Sequence, residues 1–335
     1  PPMHREGAVP YVDALFTSTS ALCVTGLTTV NTARDFTVAG QTVILVLIQL
    51  GGLGIMAYAA LALSLVSLRV SLRTRAALES SLFQQETGRL FIARLRQVFV
   101  FALGTEALGA LLLSLILLPK HSLPSAAWSA VFHSVSAFCN AGFSIYPENL
   151  EAVRGNHLFL LVVSLLIVSG GLGFIVLAEL RDKIGAPFAR LVSKLDKSAS
   201  KSSSPALQPS PLRSRLSLHT RVVLVSSLIL IVAGAGLLLL FGAAPGEQSL
   251  GEEIGTAGRI SAAFFQSVSA RTCGFNTVPI GALPLASLIV LVVLMFIGGS
   301  PGSCAGGIKT TSAVVLCARL RSLVTGRKDT VLGGW

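Results

Sequence analysis

Charged residues are scarce in this chain: they make up 12% of its 335 residues, against roughly 25% in ordinary soluble domains. Hydrophobic residues make up 52%, and the mean hydropathy is +0.76. The charge-poor runs are long enough to cross a bilayer, which takes about 20 residues. We therefore expect an all-α membrane protein rather than a soluble one, with spanning helices at about 38–66, 97–118, 157–180, 220–241 and a broken one at 284–318.

Several chemical signatures are also missing. The five cysteines show neither CxxC nor His-paired spacing, so the sequence supports neither a zinc site nor a disulfide framework. The apolar runs contain no HExxH pair and no acidic dyad, and the chain has no nucleotide-binding fingerprint. We therefore predict that the protein is not an enzyme and that this chain holds no organic cofactor.

Positive charge is concentrated in three segments. Residues 67–96, 181–221 and 319–328 hold six, nine and four of the 26 lysines and arginines. By the positive-inside rule these segments are cytoplasmic, so the net charge of +11 reflects topology and no nucleic-acid partner is needed. Residues 197–218 are rich in serine and proline, which predicts a flexible cytoplasmic linker.

What the chain does contain is a repeated pattern around three glycines. In each copy a phenylalanine stands ten residues before the glycine and a bulky apolar residue follows it. We call these copies the first, second and third glycine segments, Phe16–Leu27, Phe132–Phe143 and Phe264–Phe275. A second glycine cluster follows each one 24 to 28 residues later, at 51–54, 170–173 and 298–300. Such recurrence predicts large internal repeats.

The repeated glycines indicate ion conduction. A partly dehydrated monovalent cation needs several neutral oxygen ligands, which backbone carbonyls can supply if the chain holds an unusual conformation. Glycine tolerates positive φ at little steric cost. Gly26, Gly142 and Gly274 would thus let the preceding residues point their carbonyl oxygens into a pore, at the end of a half-helix whose negative pole faces the cation.

These motifs resemble the Trk/Ktr/HKT superfamily of potassium transporters, and most closely its Ktr-type membrane subunit. The likeness is carried by residues 20–30, 134–144, 265–277 and 298–311. It implies repeated helix–pore loop–helix units around a pseudo-fourfold pore, three of whose pore loops are in this chain. It also implies an ion-binding selectivity filter for K⁺, formed by Val24, Thr25, Gly26, Asn140, Ala141, Gly142, Thr272, Cys273 and Gly274.

The resemblance further implies an intramembrane gate beneath the filter, and it supports a structural role for Arg271 in bracing the filter. The gate residues are Gly298, Gly299, Ser300, Gly302, Gly306, Gly307 and Lys309. Two interpretations stay open for Lys309, which could plug the pore or reach the cytoplasmic interface. Glu106 also has two, a functional intramembrane acid or a buried acid bonded to Thr105 or Ser114.

The resemblance implies potassium uptake by a multi-pass protein of the cell membrane, with or without coupling to Na⁺. As partners it implies membrane lipid, a second copy in a homodimer and a cytosolic nucleotide-binding ring. We divide the chain into a first repeat (1–96), a second repeat (97–196), the linker (197–218) and a third repeat (219–335). A complete member would have a further first helix and a fourth repeat, so we expect a fragment. The alternative is a non-conducting subunit or scaffold of a cation transport complex.

Overall fold

The computed structural model describes residues 9–69, 88–181, 183, 216–242 and 255–326. Within these ranges the regular structure is helical, as expected. Most of the proposed linker, 197–218, lies outside the described residues. The helices are α1 (Tyr11–Leu22), α2 (Thr32–Asp35), α3 (Val38–Arg69), α4 (Gly88–Leu117), α5 (Leu123–Phe138), α6 (His157–Leu172), α7 (Phe174–Arg181), α8 (Leu218–Phe241), α9 (Gly255–Ser269), α10 (Leu285–Phe296) and α11 (Thr310–Val324).

Three of the predicted spans are continuous helices of sufficient length. Windows at Val38–Ile55 in α3, Val98–Leu117 in α4 and Leu218–Phe241 in α8 are apolar enough to cross a membrane. Most residues of these windows are not buried inside the protein, as expected for helices that face lipid. The fold therefore has membrane-spanning helices where the sequence predicts them.

The predicted continuous span at 157–180 is wrong. It is two helices, α6 and α7, which meet at Gly173 with a bend of 107°. Gly173 has φ +80°, and a Cβ built on it would lie 2.7 Å from the carbonyl oxygen of Pro301. The Phe174 amide donates to the Gly302 carbonyl at 3.2 Å. The helix turns because it packs against a loop more than 120 residues further along the chain.

The predicted break in the span at 284–318 is confirmed. Helix α10 ends at Phe296 and α11 begins at Thr310. We call residues 298–307 between them the glycine-rich loop. At its base the Gly298 amide donates to the Ile308 carbonyl and the Ile308 amide donates to the Phe296 carbonyl, both at 3.1 Å. The two broken helix ends are therefore held together by backbone hydrogen bonds.

A glycine–serine contact joins a long helix to the following half-helix twice. In the second repeat, a Cβ on Gly109 of α4 would lie 2.5 Å from Ser134 Oγ, and that hydroxyl donates to the Glu106 carbonyl at 2.7 Å. In the third, a Cβ on Gly234 of α8 would collide with Ser267 Oγ. The corresponding bond there runs from Ser267 to the carbonyl of Ile231 at 2.8 Å. Small residues let the helices approach closely at these points.

This contact predicts which glycines cannot be replaced. Gly109→Ala should destabilise the protein by about 1–3 kcal/mol, because the new methyl group meets Ser134 and Leu166 in a packed interface. Gly104→Ala is the matched control on the same helix, since a Cβ there has no heavy atom within 4 Å. The apparent melting temperature of the purified protein in detergent measures both. Equal melting temperatures for the two variants would contradict the packing role.

Candidate ion-binding site at the glycine segments

Three half-helices, α1, α5 and α9, each lead into a glycine segment. In each case the residue just before the glycine donates its amide to a serine carbonyl in the last turn of the half-helix. The bonds run from Thr25 to Ser20 at 2.8 Å, from Ala141 to Ser136 at 2.8 Å, and from Cys273 to Ser269 at 2.9 Å. A backbone bond to a serine carbonyl therefore closes all three half-helices, over five residues in the first two and over four in the third.

The third segment is one residue shorter than the other two. Gly26 and Gly142 stand six positions after Ser20 and Ser136, whereas Gly274 stands only five positions after Ser269. Counted from the half-helix, the equivalent of Phe132 is thus Phe265, not Phe264. Burial agrees, because Phe132 and Phe265 are fully buried whereas Phe264 is 39% exposed.

The backbone repeats a two-site pattern of positive φ. The glycine and the residue two places before it both lie in the left-handed region in every segment. The φ values are +55° and +81° at Val24 and Gly26, +58° and +70° at Asn140 and Gly142, and +67° and +94° at Thr272 and Gly274. A non-glycine residue rarely adopts this conformation. Its occurrence at three equivalent places indicates a constrained, functional backbone.

The three glycines converge. A Cβ built on Gly26 would lie 2.5 Å from the carbonyl oxygen of Ala141 and 3.6 Å from that of Cys273. A Cβ on Gly142 would collide with the Cys273 carbonyl oxygen, and one on Gly274 would lie 3.6 Å from the Cα of Gly142. The segments thus bring backbone atoms of different repeats together at one place, and a side chain would not fit there at Gly26 or Gly142.

Serine hydroxyls brace the residue after the glycine in two segments. Ser136 Oγ donates to the Phe143 carbonyl at 2.8 Å, and Ser269 Oγ donates to the Phe275 carbonyl at 2.5 Å. The equivalent Ser20 Oγ is buried and has no hydrogen-bond partner among the described residues. The second and third segments are therefore held more firmly than the first.

Arg271 links the third segment to the glycine-rich loop. The residue is 8% exposed, and its Nη2 donates to the Gly298 carbonyl and to Ser227 Oγ, each at 3.2 Å. Its Nε and the Oδ1 of Asn140 are both buried without a hydrogen-bond partner, and both residues line one small cavity. The guanidinium group thus lies next to the second glycine segment, where it donates to a carbonyl and to a hydroxyl.

The glycine-rich loop also contacts the other repeats through its backbone. The amides of Ser300 and Cys304 donate to the carbonyls of Gly171 and Gly170, at 3.0 and 3.3 Å. Gly299 donates to the Gly306 carbonyl at 3.3 Å. Gly302 and Gly307 have φ of +74° and +70°, which favours glycine at both positions. These bonds place the loop against the end of α6.

Two side chains of this region have local carbonyl partners. Lys309 is half-buried and its Nζ donates to the Ala305 carbonyl at 2.7 Å, so it caps the loop. Residues 298–302 also have the Gly-x-Ser-x-Gly spacing of a hydrolase nucleophile elbow. Ser300, however, is fully buried and donates to the carbonyls of Gly171 and Leu172. Its hydroxyl serves the packing of the loop.

Comparison with known proteins places the chain in a family. Residues 2–331 match the TrkH family, described as cation transport proteins. The chain belongs to the TrkH family. It is 33% identical to Ktr system potassium uptake protein B of Bacillus subtilis, covering 99% of this chain and 68% of that protein. It is 34% identical to the potassium/sodium uptake protein NtpJ of Enterococcus hirae, covering 95% of this chain and 63% of that protein.

The fold agrees with a solved structure of the family. The crystal structure of the potassium transporter TrkH from Vibrio parahaemolyticus has a TM-score of 0.66, with 21% identity over 97% of this chain and 59% of the other. The chain thus spans about two thirds of the length of these relatives. The family consists of transporters and not of enzymes. Its membership and the apolar helices together identify a multi-pass membrane protein.

In this TrkH-family chain Glu106 has partners that the sequence did not suggest. Its carboxylate accepts two hydrogen bonds from Gln49 Nε2, at 3.2 and 3.0 Å, and one from Cys139 Sγ at 3.7 Å. Thr105, one of the predicted partners, donates instead to the Phe101 carbonyl at 2.9 Å. Glu106 is 4% exposed and stands where the third repeat has Ile231. It joins α3, α4 and the second glycine segment.

The network predicts unequal effects of two substitutions. Glu106→Ala removes the acceptor of the Gln49 amide and should lower stability by about 1–3 kcal/mol, the cost of a buried unpaired polar group. Glu106→Gln keeps an acceptor oxygen of the same shape and should cost less than half as much. Thermal melting in detergent compares them. An equal loss with Gln and with Ala would show that the charge, which both variants remove, matters more than the hydrogen bond.

Proposed function

We propose that this chain takes up potassium across the cell membrane through a filter lined by backbone carbonyls of the three glycine segments. The observation that supports it most is that Gly26 and Gly142 meet carbonyl oxygens of other repeats, while Gly274 lies beside Gly142 and all three have positive φ. Neutral carbonyls can replace the hydration shell of a monovalent cation without holding it too tightly.

The proposed ligands come from the three residues that end each segment. They are Val24, Thr25 and Gly26, then Asn140, Ala141 and Gly142, then Thr272, Cys273 and Gly274. The residue two places before each glycine has positive φ, which gives all three sets the same unusual backbone conformation. The half-helices α1, α5 and α9 end beside these residues and add the negative poles of their dipoles. K⁺ is the proposed cargo, and Na⁺ coupling stays a further possibility for the same path.

The glycine-rich loop is the proposed gate. It is supported by the break between α10 and α11 and by the contacts of the loop with the third segment and with α6. Gly298, Gly299, Ser300, Gly302, Gly306 and Gly307 are small enough for the loop to change path at low cost. Lys309 donates to the Ala305 carbonyl near the end of the loop, and Arg271 donates to the Gly298 carbonyl at its beginning.

The proposal extends to the architecture and the partners of the whole protein. Helix–pore loop–helix units around a pseudo-fourfold axis would complete the ring of carbonyls. A homodimer in the lipid bilayer and a cytosolic nucleotide-binding ring at the basic cytoplasmic segments would regulate it. The alternative, a non-conducting subunit, differs in that the reconstituted full-length protein would carry no cation flux.

Serine substitution of the filter glycines tests the proposal. Gly142→Ser places a side chain where the Cys273 carbonyl lies, and Gly26→Ser places one beside the Ala141 carbonyl. Each should lower the ratio of K⁺ to Na⁺ uptake by about tenfold or more, which corresponds to the loss of about 1.4 kcal/mol of preferential binding. Cation uptake into proteoliposomes containing the full-length protein measures the ratio.

Gly155→Ser is the matched control in the same repeat. A Cβ on Gly155 has no heavy atom within 4 Å, and its φ is not positive, so transport should not change. Unchanged selectivity and uptake in both filter variants would reject the carbonyl filter. Absence of any cation flux in the unsubstituted protein would favour the non-conducting subunit instead.

A further inference from the structure

The three left-handed residues before the glycines carry different side chains. Val24, Asn140 and Thr272 share one backbone conformation, with φ between +55° and +67°. This conformation is unfavourable for a β-branched residue such as valine or threonine. Two of the three side chains are nevertheless β-branched, so the backbone itself does not require a particular side chain here. What each side chain contacts is therefore informative.

Of the three, Thr272 is the one whose side chain bonds to the glycine-rich loop. Val24 has no polar side-chain group, and the Asn140 amide donates to the carbonyls of Phe138 and Ile167 within the second repeat. Thr272 Oγ1 accepts a hydrogen bond from the Gly306 amide at 2.9 Å. The same threonine thus contributes backbone to the third segment and a side-chain acceptor to the loop.

The strength of this bond suits a contact that opens. A hydrogen bond between neutral groups shifts an equilibrium by about two- to tenfold. The Gly306 amide is exposed, and the nearest atom to a Cβ built on Gly306 is the Thr272 methyl carbon at 4.0 Å. The other backbone bond of Gly306, from the Gly299 amide to its carbonyl, lies within the loop itself. The hydrogen bond to the Thr272 hydroxyl is therefore the main contact between Gly306 and the third segment.

We propose that the Thr272 hydroxyl is a latch that holds the glycine-rich loop against the third glycine segment. Breaking the Thr272–Gly306 hydrogen bond releases the C-terminal end of the loop from the third segment, while Arg271 keeps its first residue, Gly298, in place. The inference rests on the proposed function in assigning the loop as the gate. The latch itself is a statement about loop position, which can be measured without transport.

Accessibility of Cys304 reports on the latch. Cys304 lies in the loop, is 4% exposed, and its Sγ donates to the Gly52 carbonyl at 3.5 Å. In full-length protein carrying Cys23→Ser and Cys317→Ser, which remove exposed thiols, the rate of Cys304 modification by N-ethylmaleimide is followed by mass spectrometry. Local opening sets this rate.

Thr272→Val should raise the modification rate about two- to tenfold, because valine keeps the branched shape and lacks the acceptor. Val24 shows that valine is accommodated at the equivalent backbone position. Thr272→Ser keeps the hydroxyl, so its Cys304 modification rate should equal that of the protein with Thr272. Thr277→Val is the matched control, since the Thr277 hydroxyl is buried with no hydrogen-bond partner within the described ranges.

An unchanged rate in Thr272→Val, or an equal increase in Thr277→Val, overturns the latch. If Thr272→Val does not purify as a folded protein, Thr272→Ala is measured against Thr272→Ser with the same expectation. Cation flux of the same preparations separates the two proposals. A faster rate in Thr272→Val together with no flux in the unsubstituted protein supports the latch and rejects the transport function.

Discussion

The candidate site depends on three polypeptide turns that approach one another without side chains between them. At Gly26 and Gly142 the space that a Cβ would need is taken by a carbonyl oxygen of another repeat. Both glycines have positive φ, so they meet a steric and a conformational requirement at once. The half-helices, the serine braces and the helices around them hold these turns in contact. Backbone oxygens can converge in a membrane only when other helices shield them from lipid in this way.

Sequence reasoning found this arrangement because left-handed backbone leaves a mark in the sequence. Glycine recurs where φ must be positive, and a fixed distance from a phenylalanine made the recurrence visible. The register of the third segment was nonetheless wrong by one residue. The letters Ser-Val-Ser-Ala occur at 134–137 and at 267–270, and they align the two half-helices correctly. Counting back from the glycine instead missed the shorter turn.

Other features could not be predicted because they depend on distant partners. The letters Gly-Gly-Leu-Gly occur at 51–54, inside the continuous helix α3, and at 170–173, where the chain bends by 107°. The difference is the glycine-rich loop, whose Pro301 carbonyl lies beside Gly173. Glu106 likewise has its amide partner 57 residues away, on another helix. Identical local patterns give different structures when tertiary contacts decide.

The short turn of the third segment and the break in the helix that follows it are connected through Arg271. In the first two repeats a glycine of the following helix, Gly51 or Gly170, packs directly on a carbonyl at the end of the half-helix. Leu22 and Phe138 supply these carbonyls, and the residue that corresponds to them in the third repeat is Arg271. The Arg271 side chain donates to the Gly298 carbonyl, at a point where the helix has already ended. A continuous helix at this place would form its own backbone bonds and leave the guanidinium group without that acceptor. The third repeat thus exchanges rigid helix packing for hydrogen bonds to a loop, and such bonds can be broken one at a time.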